Sequence, residues 1–464
     1  MTKTESTSGT RKVRRRAAGG KPARGWELQR EGRRIRRGDA RRLQVGRPDP
    51  RVTSVGGLAA FNAYVREVGL HRELRRDFGH LKRGRGVVYP MAAQMQLLID
   101  AVVSGATRVF GLELLAADPL FAHLAGGSVP SIDTVYDDLR RFGADELEDL
   151  ERLVSRHGLA GVDQQRFREV HLDIDTTVMP LFGEQEGALP GPNPRYHGRP
   201  SYHPILARVA ELDTIVAARL RPGDTGLGER DIEDVEMAID RVRAAVGPKT
   251  IITTRIDAGG DCAALLKAID AKGCFFVVKA KQNAGLLGAV AHAEGWIAVD
   301  HDAEGRATRE VAEIAFRRAD WPEDGRFRVF AVRTTERKSG KQTCLWSDLD
   351  HSVHVYVTND LVRDADELAH KYDLRAGIEP LIGELKNGVG IGKISSADFD
   401  ANEAAFLIKV LAFNLVRRWI ATRLPAAKVW RISWIRDVCV RVPGRLLRNG
   451  GRYELRLAPR PMLS

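Results

Sequence analysis

The chain is poor in cysteine, has no long apolar run, and is short of acid at one end. Its four cysteines, Cys262, Cys274, Cys344 and Cys439, are scattered over 464 residues without a C-x-x-C pair. That argues against a disulfide framework or a zinc ribbon and suggests a reducing compartment. His197 and His203 do not complete a metal-ligand spacing with the cysteines, so zinc is not expected. The most apolar stretch, AAFLIKVLAFNLVRRWIA, is broken by Lys409, Asn414 and two arginines, so no membrane span is expected. The N-terminus lacks the apolar stretch of a signal peptide, and a cytoplasmic protein is expected. No G-x-S-x-G elbow occurs. NGVGIGK is not a phosphate loop, because Asn387 stands where the first glycine is needed and Ile394 follows Lys393. It reads as a glycine-rich helix stop.

What is present is positive charge, and it is localised. The chain carries a net +12, and residues 1–50 hold 16 Lys/Arg against 5 Asp/Glu, a net of +11. This Gly- and Arg-rich arm contains RKVRRR, with Arg14, Arg15 and Arg16, and cannot bury enough apolar surface to fold alone. It reads either as a solvated tail or as a polyelectrolyte arm for phosphates. A chain of this length holds two or three domains, and 43% hydrophobic content is globular.

Residues 51–160 read as helical, with apolar positions three or four apart in GLAAFNAYVREVGL and YPMAAQMQLLIDAVVSG. In SVPSIDTVYDDLRRF, Ser131 or Asp133 can cap a short helix ending at Arg140 and Arg141. That helix is either a core helix or the second helix of a helix-turn-helix. From 165 to 283 the texture becomes α/β. The pattern predicts a strand in REVHLDIDTTVMP and a hairpin turning near Asp213. A helix over 229–246, a strand in KTIITTRIDAGG, a helix in DCAALLKAIDAKG and a buried-type strand in CFFVVKAKQ follow. Residues 284–365 predict a mainly antiparallel β insertion. Residues 366–425 are helical again, and 426–464 form a basic segment.

Acids stand at the strand ends, where α/β sheets keep their sites. Asp173 and Asp175 alternate on the first strand. Asp257 ends the fourth in R-I-D-A-G-G, with Asp261 the better cap for the helix that follows. On a uniform helix over HKYDLRAGIEPLIGELK, Tyr372, Arg375, Glu379 and Lys386 fall within an arc of about 60°. Such a stripe is either a solvated face with ion pairs or a phosphate-handling site. Pro380 follows Glu379 directly. It either kinks the helix or begins a new one, leaving Glu384 as a fallback third acid.

The set Tyr372, Arg375, Glu379 and Lys386, spaced Tyr-x2-Arg-x3-Glu-x6-Lys, resembles the signature of bacterial insertion-sequence transposases of the DDE type. Asp175-Thr176-Thr177 is similar to the family's Asp-x-Thr on the first strand, and Asp257-Ala258-Gly259 to its Asp-x-Gly after the fourth. The long gap from 257 to 379 is similar to its β-rich insertion. The resemblance spans about 165–425. It implies an RNase H-like core, a mixed sheet flanked by helices. It implies Asp175, Asp257 and Glu379 as the catalytic and metal-holding acids, with Tyr372, Arg375 and Lys386 on DNA.

Three oxygen donors suit Mg²⁺, with Mn²⁺ able to substitute. Two ions roughly 3.5–4 Å apart would clamp the scissile phosphate. The expected activity is cleavage at the ends of an insertion sequence, then attack of the freed 3′-hydroxyl on target DNA. The expected partner is double-stranded DNA, both terminal inverted repeats and target. The arm and the 51–160 helices, with Arg140 and Arg141, are expected to hold the repeats. A homodimer on DNA, in the bacterial nucleoid, is the family implication. Two alternatives stay open: a DNA-binding remnant without catalysis, and an RNase H-like nuclease that cuts without joining.

Overall fold

The computed structural model describes residues 46–162, 167–193, 197–335, 351–393 and 396–459. The chain divides into two units, Met1–Pro50 and Arg51–Ser464. Everything below concerns the second. Arg14, Arg15 and Arg16 lie outside the described residues.

Seven helices come first: α1 (Leu58–Glu67), α2 (Leu70–Phe78), α3 (Met91–Ser104), α4 (Gly111–Ala116), α5 (Pro119–Leu124), α6 (Ile132–Leu139) and α7 (Ala144–Leu159). Ser131 caps α6 by accepting from Thr134 N at 3.2 Å. These helices do not close a core of their own. Their apolar faces merge with residues 378–440 into one cluster, centred on the helix Phe399–Arg423. That helix is buried over most of its circumference, and its polar Lys409 and Asn414 are buried with it, each hydrogen-bonded to backbone carbonyls. No helix among the described residues is long and apolar enough to cross a membrane.

The sheet begins with β1 (Glu169–Thr176), β2 (Ile205–Val209) and β3 (Thr214–Arg219). Asp213 makes the β2–β3 turn at φ 55°, a left-handed conformation that Asp tolerates better than most residues. Then come α8 (Ile232–Val246), β4 (Ile251–Ile256), α9 (Ala263–Ala271), β5 (Phe275–Lys279) and α10 (Ala284–Ala291). β2 is antiparallel to β1 and β3 to β2, whereas β4 runs parallel to β1 and β5 to β4. The order β3-β2-β1-β4-β5 with these directions is the RNase H-like arrangement.

The following strands, β6 (Ile297–His301), β7 (Ala307–Ile314), β8 (Arg328–Thr335) and β9 (His351–Thr358), are antiparallel, as their alternation predicts. They do not form a separate sheet. β9 pairs with β5, so among the described residues one nine-stranded sheet runs from β6 to β3. The open edge of β5 explains this, because an unpaired buried strand leaves its backbone groups unsatisfied.

The chain then crosses back over the sheet through α11 (Ala365–Asp373), a 3-10 stretch (Leu374–Gly377), α12 (Ile378–Glu384) and a π stretch (Leu385–Val389). α13 (Phe399–Arg423) and the short α14 (Ile432–Ile435) follow. A hairpin of β10 (Gly444–Asn449) and β11 (Arg452–Leu457) closes the chain against the strand Val52–Thr53. Asn414 of α13 fastens the helical layer to the sheet edge. It accepts from Ile215 N at 3.0 Å and donates to Ile215 O at 2.7 Å and Val154 O at 3.1 Å.

Candidate active site

Alternation along β1 decides the face each side chain takes. Leu172 and Ile174 join the apolar layer of α8 and α9, so Asp173 and Asp175 share the opposite face. Asp173 is fully buried and held by its cross-strand neighbours. Arg255 on β4 donates to it at 2.6 and 3.0 Å, and Arg208 on β2 at 3.1 Å. The three side chains make a charged row across β2, β1 and β4.

The segment 365–389 rests on this row. Arg255 also donates to Lys371 O, and Gly377 sits over the Arg208 guanidinium, where a Cβ would come within 2.9 Å.

Asp175 lies two residues on, at the strand end, and is half-buried. Its Oδ1 accepts from Thr176 N at 2.8 Å, and its Oδ2 pairs with Arg375 Nη2 at 3.2 Å. Arg375, buried, also donates to Ile174 O at 3.3 Å, and its Nε has no partner. Asp257 follows β4 and accepts from Gly259 N at 2.9 Å, capping the short 3-10 turn Ala258–Gly260. Asp261 does not cap α9, contrary to the sequence expectation. It accepts from Lys281 N at 2.7 Å and Arg318 Nη1 at 2.8 Å, so it fastens the chain after β5 instead.

Glu379 is exposed in the first turn of α12. Pro380 is the third residue of that helix, where its missing N–H belongs to the first turn's unbonded donors, so it neither kinks nor breaks α12. Glu384 is occupied elsewhere, accepting from Ile432 N at 3.2 Å at the start of α14.

Electrostatics links the three acids. Burial pushes the Asp175 carboxyl up to about 6, Arg375 pulls it back, and the charges of Asp257 and Glu379 push it further. Asp175 thus lies in the field of two other carboxylates from distant parts of the chain. Such a donor set fits a hard divalent cation, which would relieve the repulsion that Arg375 alone offsets only in part. With the side chains as they stand, no group of three His, Cys, Asp or Glu among the described residues is close enough to hold a metal ion. One oxygen of Asp175 is engaged by Arg375 instead.

Of the remaining expected contacts, Lys386 Nζ donates to Val178 O at 2.9 Å, just past the β1 end, within the field of Asp175. Tyr372 is 9% exposed and packs on Tyr356 at 4.7 Å between ring centroids. Burial, with the charges of Asp257, Asp175 and Asp173, pushes its hydroxyl up to about 12 against the pull of Arg375. Arg140 and Arg141 end α6 in ion pairs with Asp137 and Asp138, each at 3.0 Å.

Beside Asp175 opens a cavity of about 960 Å³ lined by Thr176, Thr177, Lys386, Lys393 and Arg108 among others. Arg108 and Lys393 were not singled out from the sequence as site residues. A lone arginine in the apolar loop after α3, and the lysine closing NGVGIGK, were the available signals.

A family described as transposase DDE domain group 1 matches residues 36–461. Among solved structures, a cryo-EM structure of piggyBac transposase in a synaptic complex with hairpin DNA matches with a TM-score of 0.37. The two sequences are 10% identical, and the match covers 83% of this chain and 85% of that one. No curated protein matches.

Proposed function

The chain belongs to the transposase DDE domain group 1 family, and from that premise we propose that it cuts DNA at the ends of an insertion sequence and joins the freed 3′-hydroxyl to target DNA. One observation carries this reading. Asp175 ends β1, Asp257 follows the adjoining parallel strand β4, and the segment that carries Glu379 is tied to the β1 end through Arg375 and Lys386.

Asp175, Asp257 and Glu379 are the residues that would hold divalent metal, Mg²⁺ or Mn²⁺. When bound, the metal supplies a Lewis acid that polarises a phosphodiester and activates a hydroxyl. The remaining work falls to the chain. Asp175 is fixed at the strand end by Thr176 N and Arg375, and the Arg208–Asp173–Arg255 row holds the crossing segment at its height above the sheet. Arg375 is the cation nearest Asp175 and keeps it anionic near neutral pH. Lys386 presents a second positive charge beside Val178, on the side where the cavity opens. Glu379 is solvent-facing on α12, where DNA can reach it.

Incubating the full chain with labelled duplex carrying the element's inverted repeat, plus Mg²⁺ or Mn²⁺, tests the reading. Nicked product followed by joined product is expected. Alanine at Asp175, Asp257 or Glu379 should abolish both while leaving end binding nearly intact. Binding without nicking would mark a remnant, and nicking without joining a nuclease. Equal loss of binding in the three variants would mean the acids are structural and would remove this assignment.

A further inference from the structure

We propose that Arg108 and Lys393, with Lys386, form a subsite for a backbone phosphate of the DNA strand entering the cavity beside Asp175. This rests on the reading above and names two residues outside the Tyr-Arg-Glu-Lys set, one of them from the helical layer at the start of the chain.

The site is built by close packing. Gly390 ends the π stretch at φ 73°, and a Cβ there would lie 2.5 Å from Thr107 Cβ. Only glycine lets the 390–393 loop lie against the loop after α3, and that approach brings Lys393 to the cavity that Arg108 also lines. Beneath them Lys409 of α13, buried, donates to Gly390 O and Lys393 O at 2.9 Å each and pins the loop.

Arg108 and Lys393 are exposed, and no hydrogen bond or ion pair engages either side chain among the described residues. Lys386 bonds the Val178 carbonyl and, among the described residues, pairs with no carboxylate, although the charge of Asp175 reaches it. Elsewhere on this surface arginines are commonly paired with acids, as at Arg152, Arg306 and Arg326. The Lys409 ammonium is held at about 7 mainly by burial, and the charges of Arg108 and Lys393 depress it further. Arg108 and Lys393 add positive charge that no acid among the described residues pairs with, which favours an anion, and phosphate oxygens accept charge-assisted bonds from both side-chain types.

The test measures binding without cutting, so it stays separate from the test of the reaction. The full chain in Ca²⁺ is titrated with a fluorescent duplex carrying the inverted repeat, over about 50–200 mM salt. R108Q/K393Q should lower the slope of log affinity against log salt by about 1, the share of one phosphate. R306Q, which removes one charge at the far edge of the sheet, should leave it unchanged. A neutral methylphosphonate at one linkage near the cut should weaken wild-type binding and have no further effect on R108Q/K393Q. The charge-retaining R108K/K393R should restore the slope, which separates lost charge from a damaged fold. A slope in R108Q/K393Q equal to that of R306Q overturns the subsite. So does a methylphosphonate penalty that persists at every linkage, or failure of the wild type to bind the duplex. If the subsite results hold while wild type fails to nick in Mg²⁺, the reaction assignment alone falls.

Discussion

Replacing Asp175 by Asn tests the electrostatics of the site before any DNA is added. Its carboxyl sits at about 6 instead of 3.8, because burial and the charges of Asp257 and Glu379 outweigh the pull of Arg375. Keeping it ionised near neutral pH therefore costs the folded chain about 3 kcal/mol relative to the unfolded one. Asparagine has the shape of the protonated acid, and its carbonyl can still accept from Arg375. D175N should gain about 1–3 kcal/mol near neutral pH without metal, the lower figure allowing for imperfect replacement of the Thr176 and Arg375 bonds.

The sign follows from proton counting. The folded pKa is the higher, so between about 4 and 6 the folded chain binds more protons than the unfolded one. Asp175 makes wild-type stability fall as pH rises through that window, and the slope should be shallower in D175N, where only the share of groups such as Asp100 and Glu403, also raised to about 7, remains. Below about pH 4 both forms are neutral and the gain should vanish. Thermal unfolding in chelator across this range is the assay. Adding Mg²⁺ or Mn²⁺ should reverse the order, because a ligand of the native carboxylates stabilises only the wild type by mass action. If D175N melts below the wild type near neutral pH in chelator, or its gain persists unchanged at low pH, the convergence of the three acids is wrong.

Three other substitutions probe separate parts of the arrangement. E379Q should lose nicking by orders of magnitude, whereas E384Q, which touches only the start of α14, should retain it within about twofold; gel assays of nicked product compare them. R255M leaves Asp173 buried with Arg208 as its remaining charge partner and should cost about 3–5 kcal/mol in denaturant unfolding, part of which D173N/R255M should recover. G390A meets both a left-handed backbone and the Thr107 side chain, so its unfolding midpoint should drop by the equivalent of about 1–3 kcal/mol.

Much of the fold is legible because it follows from local periodicity. Alternation in REVHLDIDTT and the β2–β3 hairpin around Asp213 are signals carried by adjacent residues, and the strand and helix order of 165–283 follows from them. Layer assignments are not local. Nothing within 51–160 states that its apolar faces are completed by Phe406, Leu411 and Phe413 three hundred residues later. Likewise, β6–β9 read as an independent antiparallel unit, because the pairing of β9 with β5 depends on an edge that no sequence window contains. The role of Asp261 failed for the same reason. Its position before a helix suggests a cap, yet Arg318 and Lys281 arrive from outside that window and take both of its oxygens.

The crossing segment departs from the uniform helix that its sequence suggests. A single helical pitch places Tyr372, Arg375, Glu379 and Lys386 on one line. The chain instead tightens to a 3-10 turn over Leu374–Gly377, which advances the helix by about 80° relative to that line. The tightening falls on both sides of Arg375 and takes the four off one line, and the contacts set Tyr372 apart. Its ring stays with Tyr356 under the β6–β9 part of the sheet, while Arg375 and Lys386 both reach carbonyls near the end of β1. The row of Arg208, Asp173 and Arg255 provides the reason for the overwinding at that place. Gly377 must pass directly over the Arg208 guanidinium, and Lys371 O must meet Arg255, so the segment is tied down at two points six residues apart. On this argument Asp173 matters for the site although it touches nothing that reacts. It neutralises the arginines that support the crossing helix, and so fixes how far Arg375 stands from Asp175.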